Sequence, residues 1–268
     1  MLSKSSVDSV ELRKAQLKML TILQEIDRIC VKHNISWWIC FGTLLGAVRH
    51  QGFIPWDDDC DICMLRDDYD RFMQVAPSEL GKDFFLQTKT TDPRYPKKLT
   101  KVRLNNTLLV EEDETEDAGY HQGIFVDIFV WDFYPGYAKE LLPWFQIMPN
   151  LRQCRKKYPK GSFKRSLVGI LTAIPYTVHS FLESCFSRIW SINYRNSNLP
   201  YIGMQMCHND GLAFAQDDVF PLQRDLYFEG MLFPTPHRPE QLLGAKYGSY
   251  MELPPVEQRH YHAKKIIV

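Results

Sequence analysis

The sequence predicts an α+β fold, and three observations carry that expectation. An apolar helical period starts at Asp8 and ends near Asn34. Short apolar strands recur around 37–41, 59–64 and 124–131. The composition is that of a folded chain: 45% of the 268 residues are hydrophobic and 24% charged, which excludes wholesale disorder. Lys plus Arg and Asp plus Glu stand at 32 each, so the basic excess of a dedicated nucleic-acid binder is missing.

The elements follow in order. Asp8 and Glu11 resemble a capping box, and Met19, Leu23, Ile26 and Cys30 continue at helical spacing. A buried strand is expected at 37–41, closed by Gly42. Then come a Gly-punctuated helix or loop, a strand at 59–64 and a helix over 67–75. The run EEDETED at 111–117 reads as a solvated loop, and an apolar strand follows at 124–131. The stretch 141–182 holds no acid, while seven basic residues crowd into 152–165 ahead of an apolar run broken by Gly169 and Pro175. An interfacial segment at an anionic membrane surface fits that pattern; a helical subdomain with solvated bases is the plainer alternative. Pro239 opens a short helix that Gly248 closes.

The cysteines, 7 in number and irregularly spaced, suit a reducing compartment better than a disulfide framework. Cys60 and Cys63 form a lone C-x-x-C, so zinc is not expected. The N-terminus has no apolar stretch before its charges, so no signal peptide is expected. No apolar run reaches the roughly 18 residues of a conventional spanning helix.

The chemistry concentrates in 41–64, FGTLLGAVRHQGFIPWDDDCDICM. On an extended strand Asp57, Asp59 and Asp61 share one face, and Cys60, Ile62 and Met64 the other. Three carboxylates on one face repel unless a cation sits among them, and hard oxygen ligands select Mg²⁺ or Mn²⁺. An EF-hand fails, because Ile62 and Asp68 stand where its glycine and glutamate are required. Asp127 lies in an apolar strand, where an ionised carboxylate must be paired or metal-bound. The structural reading there is an ion pair with an arginine such as Arg103. The functional one makes Asp59, Asp61 and Asp127 a catalytic, metal-holding platform for in-line phosphoryl displacement. Upstream, Gly42 and Thr43 could offer backbone N–H groups and a hydroxyl to a phosphate. P-loop, dinucleotide-binding, zinc-protease and serine-hydrolase motifs are absent.

The run Phe41–His50, with Gly52 to Asp59 and Asp61, closely resembles the LicD family. Further matches fall at Lys101-Val102-Arg103, at Gly123 to Asp127, at Phe228-Glu229-Gly230 and at Tyr247-Gly248-Ser249-Tyr250. Cys60 departs from the usual aliphatic residue, and Ser249 stands where an aspartate is common. The resemblance implies a nucleotidyltransferase-like fold, a small mixed sheet flanked by helices. On that reading 1–135 is the catalytic core, 136–200 a basic and apolar helical insertion, and 201–268 completes the catalytic domain. It also implies a metal-dependent enzyme moving a phospho-alcohol, most readily phosphocholine from CDP-choline, to a sugar of a lipid-linked or surface glycan. Asp59, Asp61 and Asp127 would hold Mg²⁺ or Mn²⁺, and Gly42, Thr43, Arg49, Lys101 and Arg103 would bind the donor. Trp56 and Trp131 would face the choline ammonium. The enzyme would be cytoplasmic and peripheral at the inner face of a bacterial membrane. Two rivals stand beside this: a plain nucleotidyltransferase releasing pyrophosphate, and an inactive module of a glycan-assembly complex.

Overall fold

The computed structural model describes residues 8–97, 99–134, 201–204, 212–259 and 261–268, with isolated positions at 161–163, 166, 181, 185 and 188–189. The expected insertion at 136–200, with its basic stretch, lies otherwise outside the described residues. The chain divides into two units, Met1–Phe129 with Val219–Val268, and Val130–Asp218. Mixed helices and antiparallel ladders make this an α+β protein, as the periodicities predict.

The first unit opens with helix α1, Ser9–His33. Asp8 caps it by accepting the Val10 N–H, and Asn34 closes it in a left-handed conformation. Its inner stripe of Met19, Ile22, Leu23 and Ile26 is fully buried in the core. Strand β1 is only Trp38–Ile39, shorter than the expected 37–41. Phe41 leaves the strand with a φ of 47° and opens helix α2, Phe41–His50. Gly42 therefore lies in the first turn of a helix and does not end a strand. Strand β2 is Asp61–Leu65, and helix α3, Arg66–Glu79, follows directly.

Strands β3 (Phe84–Gln87), β4 (Thr100–Leu104), β5 (Leu108–Glu111) and β6 (Phe125–Tyr134) complete this part. The strand order is β1-β2-β6-β4-β3. β1 on β2, β4 on β6 and β3 on β4 are antiparallel. β2 and β6 meet where the Asp127 N–H donates to the Cys60 carbonyl at 2.8 Å. That order sets Asp61 and Asp127 on adjacent strands.

The run 111–117 does not behave as one solvated loop. Glu111 ends β5, and Glu114 is buried, accepting from Gln122 at 3.0 Å. β5 pairs with the C-terminal strand, and that partner cannot be read from the local sequence. Of the second unit, β7 (Tyr201–Met204) pairs with the end of β6 and with β8, Phe214–Ala215. Back in the first unit, a hairpin joins β9 (Tyr227–Phe228) and β10 (Met231–Leu232). Helix α4, Pro239–Tyr247, starts on proline and stops at Gly248 as expected. Strand β11, Ala263–Ile267, returns to pair with β5.

Candidate active site

Four elements build the site: the N-terminus of α2, the loop 57–60, β2 and β6. The loop is not an extension of β2, so the expected alternation of three aspartates along one strand is replaced by a tighter arrangement. Bulky groups and three consecutive acids break the ladder before Asp61. Buried Gln16 of α1 holds the loop by donating to the Ile54 carbonyl at 3.1 Å and the Asp57 carbonyl at 2.9 Å. Gly42 makes room: a Cβ there would meet Asp57 Oδ2 at 2.7 Å. Thr43 is buried, and its hydroxyl accepts the Asp61 N–H at 2.8 Å. Thr43 thus fixes the entry of β2.

Within the loop the acids separate by direction. Asp58 turns inward, 2% exposed, accepts the Ala263 N–H of β11 and lies 3.4 Å from His262. Asp57 and Asp59 hydrogen-bond each other. Burial, then the charges of Asp58 and Asp127, push the Asp59 carboxyl up to about 6. Asp57 and Asp61 are driven well above the carboxylate range by burial and then by the Asp59 charge. His262 is raised to about 9, first by its hydrogen bond to Asp58 and then by the acid charges against burial. Burial also raises Tyr247 of α4, whose phenol feels Asp61, Asp57 and Asp59.

Asp127 stands across the β4–β6 ladder from Lys101. The Lys101 ammonium, 1% exposed, is 3.0 Å from Asp127 Oδ1 and 3.4 Å from Glu111 Oε2. Burial raises Asp127 while Lys101 opposes the rise. Lys101, and not Arg103, is the partner that the buried carboxylate demands. Arg103, fully enclosed, donates to Gln87 Oε1 and to the Gly123 carbonyl at 2.6 Å, with the Phe125 ring 4.9 Å away. Its charge is spent inside the sheet. Arg49 donates to the Tyr250 and Glu252 carbonyls at 2.8 and 3.2 Å and so ties the C-terminal segment to α2.

Trp56 carries the Arg259 guanidinium 4.4 Å from its ring centre, a cation already on an aromatic face. Trp131 belongs to the second unit, where it is 1% exposed and stacked on Phe214. Gln16 and His262 escaped the sequence reading, and Asp58, Glu111 and Tyr247 were given no site role by it. The triple Asp57-Asp58-Asp59 was visible, but its inward and outward members were not separable without the partner strand β11.

The donor chemistry suits a hard divalent cation: buried carboxylates that raise one another gain most from one. Asp59, Asp61 and Asp127 are close enough to perturb each other. Among the described residues, no group of three or more His, Cys, Asp or Glu side chains is gathered tightly enough to hold a metal ion.

Fold and site together define an α+β protein with crowded carboxylates gathered beside a helix N-terminus. A family model described as "LicD/FKTN/FKRP, nucleotidyltransferase domain" matches residues 34–175. The chain belongs to the LicD family. It is 29% identical over 258 residues to the lipopolysaccharide cholinephosphotransferase LicD of Haemophilus influenzae, covering 94% of this chain and 95% of that protein. A stretch of 64 residues, 24% of this chain, is 45% identical to an uncharacterized protein of Rickettsia typhi, 21% of which it covers.

Proposed function

We propose that this chain transfers phosphocholine from CDP-choline to a sugar hydroxyl of a surface glycan, with lipopolysaccharide the acceptor that its Haemophilus relative suggests. The carrying observation is the crowding of Asp57, Asp59, Asp61 and Asp127, whose carboxyls burial raises above their ordinary range, with the neighbouring aspartate charges adding to it at Asp57, Asp59 and Asp61. Such a cluster is costly unless it receives a cation. Adjacent placement of Asp61 and Asp127 on β2 and β6 supports a nucleotidyltransferase-like arrangement.

Asp59, Asp61 and Asp127 would hold Mg²⁺ or Mn²⁺, which when bound neutralises the donor diphosphate. Gly42, at the start of α2, would present backbone N–H groups of the first helical turn to a phosphate oxygen. Asp127 accepts the proton of the sugar hydroxyl as its oxygen attacks phosphorus. The bond from phosphorus to the bridging oxygen of CMP breaks, and CMP leaves with the electron pair. Arg49, Lys101 and Arg103 serve this chemistry by holding the site's walls. Among the described residues no helix is long and apolar enough to cross a membrane. Action at the inner face of a bacterial membrane belongs to the same proposal and draws on the basic stretch at 152–165.

The test is product analysis of purified protein with CDP-choline, Mg²⁺ and a lipopolysaccharide acceptor. CMP release with choline phosphate on the glycan is the expected outcome. Pyrophosphate release from a nucleoside triphosphate would install the nucleotidyltransferase reading instead.

A further inference from the structure

One group that the proposed reaction does not use directly is a buried cation beside Asp127. Lys101 is 1% exposed, and its ammonium touches three things. It lies 3.0 and 3.2 Å from the two oxygens of Asp127. It is 3.4 Å from Glu111 Oε2 and 3.2 Å from the centre of the Phe125 ring. Glu111 is shared, since its Oε2 also lies 3.0 Å from Lys97. β4, β5 and β6 fix these positions, with Lys101 facing Asp127 in register.

We propose that Lys101 is a displaceable counter-ion, holding Asp127 until a divalent cation binds and passing to Glu111 when it does. The inference rests on the metal platform proposed above. Two cations cannot sit within contact distance of one carboxylate without strong repulsion. A buried ammonium with Asp127 as its single partner would be orphaned by a metal, at a cost comparable to breaking a buried ion pair. Glu111 removes that cost, because a second carboxylate already stands at the edge of contact. The lysine stem is flexible, so the ammonium can shift toward Glu111 while its chain stays in the sheet. The Phe125 face keeps the charge attracted along the way.

The experiment is calorimetric titration of Mn²⁺ alone into the purified full chain, without donor or acceptor. Lys101→Met removes the competing cation and should bind Mn²⁺ about tenfold more tightly. Glu111→Gln takes away the alternative partner and should bind it about tenfold more weakly. A purely structural Lys101 would lower the melting temperature in both variants and leave Mn²⁺ affinity as in the wild type, and that result overturns the proposal. Should Lys101→Met fail to fold, Glu111→Gln still decides, since it leaves the Lys101–Asp127 pair intact. Asp61→Asn separates the two ideas. Wild-type binding that Asp61→Asn abolishes upholds the platform whatever the lysine does, whereas absence of Mn²⁺ binding to the wild type overturns platform and inference together.

Discussion

Asp61 shows how the surroundings of one residue set the cost of its charge. Its backbone N–H is satisfied by Thr43, yet its carboxyl is buried among Asp57, Asp59 and Asp127 and is raised by burial first and those charges second. Ionising it without a cation therefore costs folding energy. Asp61→Asn keeps the volume and deletes the charge, so we expect it to raise the metal-free melting temperature and to reduce turnover about a hundredfold or more. Equal turnover by the variant in Mg²⁺ would remove Asp61 from the platform. Asp127→Asn should separate differently, because Lys101 keeps Glu111 as a partner. The loss should fall on kcat, about a hundredfold for a missing base, with KM for the donor changed far less. A large rise in KM with kcat preserved would count against the proton-accepting role.

At the scale of elements, what could be read from sequence depended on whether the signal was local. The ends of α1 and α4 were legible because Asp8, Pro239 and Gly248 act within one turn. The start of α2 was not, because a phenylalanine with positive φ at its head is a choice that tertiary packing imposes. The Phe41 ring packs edge-on against Phe129 at 5.1 Å, which helps hold that conformation. Asp58 was passed over because its partner, Ala263 in β11, lies far along the chain, whereas Glu111 was misread with the acidic run although Lys101 stands only 10 residues before it. The crowding of Asp59, Asp61 and Asp127 was legible, since acids in an apolar setting need a reason wherever they fall. Element packing also makes a testable contrast between two helical glycines. A Cβ on Gly46 would collide with the backbone carbonyl of Gly52, whereas one on Gly244 meets nothing within 4 Å. Gly46→Ala should destabilise by about 1–3 kcal/mol through overpacking. Gly244→Ala should stabilise by up to about 1 kcal/mol through helix propensity. Urea denaturation of both variants reads the two signs, and stabilisation by Gly46→Ala would show that the 52–54 turn yields easily.

For the molecule as a whole, the carboxylate cluster sets how stability responds to pH. Asp59 folded titrates near 6, and burial with the neighbouring charges raises Asp57 and Asp61 too, all above the value for an unfolded chain. Between the unfolded and folded values the native state binds more protons, so stability falls as pH rises through that window. His262 works in the same direction at higher pH: raised to about 9, it stabilises fully below its unfolded value of 6.5 and loses that contribution as pH passes 9. Glu25, Glu229 and Glu111 oppose this, being held low by Arg28, by Arg13 and, against burial, by Lys101 and Lys97. Their contribution is complete above the ordinary glutamate range and is lost on acidification, so it does not change across neutral pH. His50 and His121, lowered by burial, work the other way up to their unfolded value of 6.5, so the decline that the acid cluster and His262 impose on the metal-free protein should show most clearly from about pH 6.5 toward about pH 9. Millimolar Mg²⁺ should flatten that decline, because a bound cation removes the advantage of protonating the cluster. Differential scanning fluorimetry in chelator and in Mg²⁺ across this range is the measurement. A melting temperature that climbs from about pH 6.5 toward about pH 9 in chelator would mean that the aspartates stay ionised in the folded state without help, and the case for a cation among them would lose its physical basis.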